Sequence, residues 1–233
     1  MGQKTNPIGL RLGIIRSWDS NWYDEKTFAG KLVEDMTVRD YIRNRLKKAG
    51  VSRILIERTR NRVVVTIFTS RPGIVIGRSG KEITQLEEEL KKITSNKEVK
   101  ILINEIKRPE LDAYLVAENI AQQLEGRIAF RRAMKNAITA AMRMGAEGVR
   151  VMTAGRLGGS EMARCEKGME GSIPLSTLRC KVEYGFSEAA TPQGNIGIKA
   201  WVNQGDYLTG DIADATDAQA GQVSKNKSRR RPR

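Results

Sequence analysis

Residues 71–83 read Arg71-Pro-Gly-Ile-Val-Ile-Gly77-Arg78-Ser79-Gly80-Lys81-Glu82-Ile83, and this stretch decides how the rest of the chain is read. Gly-x-x-Gly occurs five times, beginning at Gly77, Gly145, Gly155, Gly168 and Gly194, so the bare motif carries no weight. The copy at Gly77 differs in context: apolar residues precede it, its insert is basic, and a helical period follows. Ile83, Leu86, Leu90 and Ile93 share one face of that expected helix. Ser79 and Glu82 match the S-x-x-E capping box, which predicts a helix starting at Gly80. Glycines at both ends let an anion approach the main chain without meeting a Cβ. Amides at the helix start, with Arg78 and Lys81 beside them, favour phosphate. A P-loop fails, because position 75 is Val and Glu82 follows Lys81.

Outward from the loop, helical spacing runs from about Val38 to Ala49, with Gly50 as the stop. Two β-rich runs follow, Val51–Glu57 and Val63–Thr69, joined by a polar turn around Arg60 and Asn61. Val99–Ile106 alternates as a strand, and Pro109 marks a boundary. Helix, two strands, helix, GXXG, helix, strand resembles the type II KH domain, whose loop clamps single-stranded nucleic acid. The expected fold class is α+β. A KH-like unit at 17–108 is followed by a second α+β unit at 109–207, with two helices packed on a mostly antiparallel sheet. Its helices are expected at about Leu111–Glu125 and Ile128–Met144, and its strands at Val149–Thr153, Leu178–Tyr184 and Ile196–Val202. Residues 1–16, broken by Gly2, Pro7, Gly9 and Gly13, read as an extended basic arm. Residues 208–233, ending in Lys225, Lys227, Arg229, Arg230, Arg231 and Arg233, read as a disordered basic tail.

Composition points the same way. Forty-one Lys and Arg against 27 Asp and Glu leave a formal charge of +14, which calls for a polyanionic partner. No acidic residue lies between Glu125 and Glu147, while Arg127, Arg131, Arg132, Lys135 and Arg143 do. At 100° per residue, Arg131, Arg132, Lys135, Asn136, Thr139 and Arg143 fill an arc of about 140°. Solvated helix faces ordinarily mix signs, since like charges four apart repel. An unpaired cationic stripe is better explained by phosphates.

Histidine is absent, which removes histidine-based triads, histidine general bases and histidine metal ligands together. Cys165 and Cys180 form neither a redox pair nor a zinc framework. They suit a reducing compartment, with pairing across neighbouring strands left open. The polar N-terminus lacks a signal-peptide core, and no apolar run reaches membrane-spanning length, so a cytoplasmic chain is expected. Aromatic residues are too few for an RNA-recognition motif. Glu105-Ile106-Lys107 matches only half of a metal-dependent nuclease motif. No enzyme, cofactor, metal or small-molecule substrate is expected.

Several segments in register make the resemblance specific. Met1-Gly-Gln-Lys4, Ser52-Arg-Ile-Leu-Ile-Glu-Arg58, Arg71-Pro-Gly-Ile-Val-Ile-Gly77, Arg108-Pro-Glu-Leu-Asp112, Phe130-Arg-Arg-Ala-Met-Lys135, Gly155-Arg-Leu-Gly-Gly159 and Pro174-Leu-Ser-Thr-Leu-Arg179 occur in that order. Together they resemble the bacterial family of small-subunit ribosomal protein three, the KH-containing protein of the subunit head, over about residues 1–205. The resemblance implies binding to 16S ribosomal RNA, contact with messenger RNA at its entry channel, and neighbours among the head proteins. It implies that Arg131, Arg132 and Lys135 line the entry and help unwind messenger passively. Gly77, Arg78, Ser79, Gly80 and Lys81 are the expected loop contacts to RNA, with Lys4, Arg11, Arg127, Arg143, Arg156 and Arg164 as further ones. The chain departs from the family's usual pattern at Lys167–Ser172, at Ser176 where histidine is usual, and at Cys180–Tyr184. The alternative function is a KH-domain RNA chaperone or assembly factor acting off the mature ribosome.

Overall fold

The computed structural model describes residues 4–94 and 98–206. Both the opening Met1-Gly-Gln and the expected tail at 208–233 lie outside them. Among the described residues, six α-helices and eight strands build two sheet-centred units, each with its own core.

In the first unit, β1 (Ser20–Asn21), β2 (Val51–Arg58), β3 (Arg62–Thr69) and β4 (Glu98–Glu105) form a sheet in that spatial order. β2 and β3 are an antiparallel hairpin, and β3 and β4 run parallel. Parallel neighbours need a crossover, here α3 (Pro72–Ile76), the glycine loop and α4 (Lys81–Ile93). Strict alternation along β3 buries Val63, Val65 and Ile67 against Leu86 and Leu90 of α4 and Val38 and Ile42 of α2 (Phe28–Arg45).

Helix α2 starts ten residues before the expected Val38. Its early inner face is polar, which hides the apolar period. Asp35 is fully buried, yet its carboxylate accepts from Arg58 Nε at 2.7 Å, Ser20 Oγ at 2.8 Å and Trp22 Nε1 at 2.8 Å. A buried charge is tolerable only when paired and hydrogen-bonded in this way. The cluster fastens β1 and α2 to the end of β2. α2 gives way to a 3-10 turn at Lys47–Ala49, and Gly50 follows at φ 64°.

In the second unit the spatial order is β6 (Arg164–Gly171), β5 (Gly148–Gly155), β8 (Gly194–Asp206), β7 (Cys180–Thr191), antiparallel throughout. Helices α5 (Ala113–Glu125) and α6 (Phe130–Arg143) cover one face. Asp112 caps α5, its Oδ1 accepting from the amides of Tyr114 and Leu115. β6 was not expected, because its burial hardly alternates; it is an exposed edge held by its pairing to β5. Cys165 and Cys180 are both free, and their strands form opposite edges of the sheet, so pairing across neighbouring strands is ruled out.

The arm is not extended, and Arg11 is not a surface contact. Residues Pro7–Leu10 form a single helical turn, α1, with Asn6 accepting from the Ile8 amide. Arg11 is only 2% exposed. Its Nε donates to the Cys180 carbonyl at 2.7 Å, and one terminal nitrogen donates to Thr177 at 2.9 Å. Longer contacts reach Pro7, Pro174 and Leu175. A planar five-donor guanidinium can serve several carbonyls at once. Arg11 therefore staples the N-terminal segment to the 174–180 loop of the second unit, and its expected role as an RNA contact is withdrawn.

Candidate nucleic-acid interface

The glycine loop leaves α3 at Gly77, which has φ 70°. A Cβ there would lie 2.5 Å from Glu82 Cγ, so both conformation and space require glycine. Ser79 (φ 56°) and Gly80 (φ 75°) are consecutive left-handed residues. This geometry overturns the capping-box expectation. Helix α4 starts at Lys81 with Gly80 as its cap, and no side chain caps it. Glu82 turns instead toward Arg45, 3.6 Å away. The exposed insert presents Arg78, Ser79 and Lys81, and neither cation meets a carboxylate among the described residues. Ile74 and Ile76 stand beside the loop at 46% and 42% exposure, an apolar flank that the sequence reading missed. The available signal was an apolar run, Ile74-Val75-Ile76, in which only Val75 points inward.

The second cationic surface lies on α6, whose inner face buries Ala133, Met134, Ile138 and Ala141. Arg131, Arg132, Lys135 and Arg143 are exposed on the outside. Arg131 is not unpaired, however: Glu166 on β6 lies 3.6 Å from it and 3.7 Å from Arg164 Nε. Both guanidiniums also sit over the Phe130 ring, at 5.6 and 5.7 Å from its centre. Glu166 and Phe130 thus bring Arg164 to the stripe. Neither was expected, since the signal, Arg164 and Glu166 two apart on one strand face, depends on recognising β6. Exposed pairs of this kind stabilise little, and the site keeps its positive sign.

The other expected contacts are scattered. Lys4 is exposed on the arm, and Arg127 is exposed in the turn between α5 and α6 with φ 60°. Arg156 is exposed but already donates to the carbonyls of Ser160 and Gln193. No group of three or more His, Cys, Asp or Glu side chains able to hold a metal occurs among the described residues, and no helix there is long and apolar enough to cross a membrane.

Comparison with known proteins gives this architecture its family. Residues 37–111 match the KH domain, and residues 120–202 match the ribosomal protein S3 C-terminal domain. A small ribosomal subunit protein uS3 from Salinibacter ruber is 56% identical over the whole of this chain and 99% of its own length. The chain belongs to the uS3 family. Further uS3 relatives include one from Flavobacterium johnsoniae, 60% identical over 88% of this chain and 81% of its own. Another, from Desulforudis audaxviator, is 56% identical over 89% and 95% respectively. The uS3 family is one of structural ribosomal proteins, not enzymes.

Proposed function

We propose that this uS3-family chain is built into the head of the small ribosomal subunit, binds 16S ribosomal RNA there, and lines the path of incoming messenger RNA. One observation carries the messenger reading: Arg131, Arg132 and Lys135 are exposed together on the outer face of α6, in a segment free of acidic residues. Cations fixed on a helix hold phosphates of either a paired or an unpaired strand. Unwinding is then passive. Phosphates are gripped while translocation draws the strand through, and this chain hydrolyses no nucleotide. The loop at Gly77–Lys81 takes single-stranded RNA against the Ile74–Ile76 flank, and Lys4, Arg127, Arg143, Arg156 and Arg164 contribute further phosphate contacts. Phe28, Leu32 and Met36, exposed one turn apart on α2, support a neighbouring head protein on that side.

The test is the triple variant Arg131→Ala, Arg132→Ala, Lys135→Ala. Alanine is the best helix former and these side chains are exposed, so α6 keeps its packing. Purified ribosomes carrying the variant should assemble, translate linear messages at the normal rate, and slow on a message with a hairpin at the entry side. Equal slowing on both templates removes the unwinding role. Failure to assemble reassigns the three residues to ribosomal RNA.

A further inference from the structure

Between the two units lies a cavity of about 460 Å³, walled by the arm, α2, β2, the start of α5 and β7. That volume is within the usual range for small-ligand sites. Its lining is strongly cationic: Arg11, Arg16, Arg39, Arg43, Arg53, Arg108 and Lys181 face only Asp19, Asp112 and Glu183. Arg11 is consumed by carbonyls, and Arg39 donates to the Asp19 carbonyl and to Ser20. Arg43, Arg53 and Arg108 have no carboxylate partner among the described residues. Arg16 pairs with Asp19 through a terminal nitrogen, while its Nε is buried with no hydrogen-bond partner.

Two of these guanidiniums are positioned rather than loose. Arg53 lies over the Phe68 ring at 4.7 Å, and Arg43 lies over Tyr114 at 5.8 Å. Burial pulls the Arg53 pKa down and nearby Arg16 adds to the effect, with Asp19, Glu183 and Asp112 opposing it in part. The half-buried Arg16 and Arg53 meet Asp19, Asp112 and Glu183 across the cavity, while Arg43 and Arg108 stand exposed at its edge, so the cations outnumber the carboxylates that face them. A concave site with a net excess of one sign of charge concentrates the opposite ion. The planar forks match phosphate oxygens, and a guanidinium already backed by an aromatic ring offers its other face to a nucleobase.

We propose that this cavity between the units is a second phosphate site, separate from the loop and from α6, which takes the phosphate of a single nucleotide. Arg16, Arg53 and Arg108 are the phosphate donors, and the Arg43 plane, held on Tyr114, is the stacking surface. The nucleotide is either free or part of an RNA strand, and the two sources separate experimentally.

Full-length chain is titrated calorimetrically with pyrophosphate, with ATP and with a single-stranded hexanucleotide, at about 150 mM salt to screen loose surface binding. The variants are Arg43→Gln with Arg108→Gln, and the α6 triple alanine variant as a control. Saturable binding of one equivalent of pyrophosphate and of ATP is expected in wild type and in the α6 control, whereas the hexanucleotide, which the loop and α6 also take, should bind wild type with more than one equivalent, of which the cavity accounts for one. The cavity variant should weaken at least one probe by about tenfold or more, as loss of a charge-assisted contact does. Loss of pyrophosphate and ATP affinity identifies a free nucleotide, and loss confined to the hexanucleotide identifies a strand. Cavity and wild-type proteins that bind all three probes alike would overturn the proposal. Should the cavity variant fold poorly, phenylglyoxal labelling of unmutated protein, read by peptide mass, decides instead. Pyrophosphate must then protect Arg43, Arg53 and Arg108 more than Arg131, and equal protection overturns the site.

Discussion

Replacing Arg11 by alanine should destabilise the second unit without touching RNA affinity. The guanidinium makes two short hydrogen bonds, at 2.7 Å to Cys180 and 2.9 Å to Thr177, and three longer ones between 3.2 and 3.3 Å. Two good bonds from a charged donor, at about 1.5 kcal/mol each, give a loss of about 3 kcal/mol. The buried Cys180 carbonyl, left without its guanidinium donor, pushes the total toward about 5 kcal/mol. With a urea slope of about 2 kcal/mol per molar, the midpoint should fall by roughly 1.5–2.5 M. Hydrogen exchange on peptides covering 172–184 should locate the loosening at the start of β7. Arg11→Lys keeps the charge but presents no planar fork, so it should recover less than half of the loss. A stability unchanged to within about 0.5 kcal/mol, or normal stability with weakened RNA binding, would refute the staple and return Arg11 to the RNA-facing set.

Three further outcomes follow from the same geometry. Affinity for single-stranded RNA should fall with salt at a logarithmic slope of roughly −4 to −5 for about six phosphate contacts, and a slope near zero would contradict an electrostatic interface. Gly77→Ala should cost about 1–3 kcal/mol through its positive-φ backbone, plus the clash with Glu82; adding Glu82→Ala removes the Cγ contact at 2.5 Å but leaves the Cβ contact at 2.8 Å, so it should return only part of the clash component and none of the cost of Gly80→Ala, where a Cβ finds its nearest neighbour at 3.9 Å. Burial raises the Glu118 carboxyl pKa, and Arg71 only partly opposes this. The folded state therefore holds that proton longer than the unfolded one, so stability declines as pH rises from the ordinary glutamate range through the raised value. Glu118→Gln should then stabilise the chain at neutral pH, by less than about 1 kcal/mol after solvent screening, and flatten the decline; an unchanged pH profile would discount the burial of that carboxyl.

Periodic and punctuated features were legible in the sequence. β2 and β3 alternate against one core, α4 carries a clear apolar stripe, and glycines bracket the basic loop. All three follow from local rules that one face of an element obeys. What escaped depends on partners distant in the chain. The first half of α2 turns a buried carboxylate inward, and Asp35 becomes intelligible only beside Arg58, Ser20 and Trp22. β6, Arg-Cys-Glu-Lys-Gly-Met-Glu-Gly, is polar on both faces, because an edge strand held by backbone bonds needs no apolar side. The capping box failed although its spacing was right, since left-handed backbone at Ser79 and Gly80 takes the serine out of the capping position. Charge alone could not separate Arg11, which feeds five carbonyls, from Arg132, which faces outward.

The strand order of the second sheet has a consequence for biosynthesis. β8 sits between β5 and β7, so one side of β5 has no partner until the chain has been made almost to Asp206, 51 residues after β5 ends at Gly155. At about 5–20 residues per second, that interval lasts roughly 3–10 s. Throughout it, Val149 and Val151 belong to a nascent sheet with an open hydrogen-bonding edge, the kind of template on which strands from other chains can add. The β5–β6 hairpin closes the opposite edge early, which halves the exposure. The remaining hazard is one of timing: a pause in synthesis between residues 156 and 206 should raise co-translational aggregation, and a pause at the same distance before β5 should not.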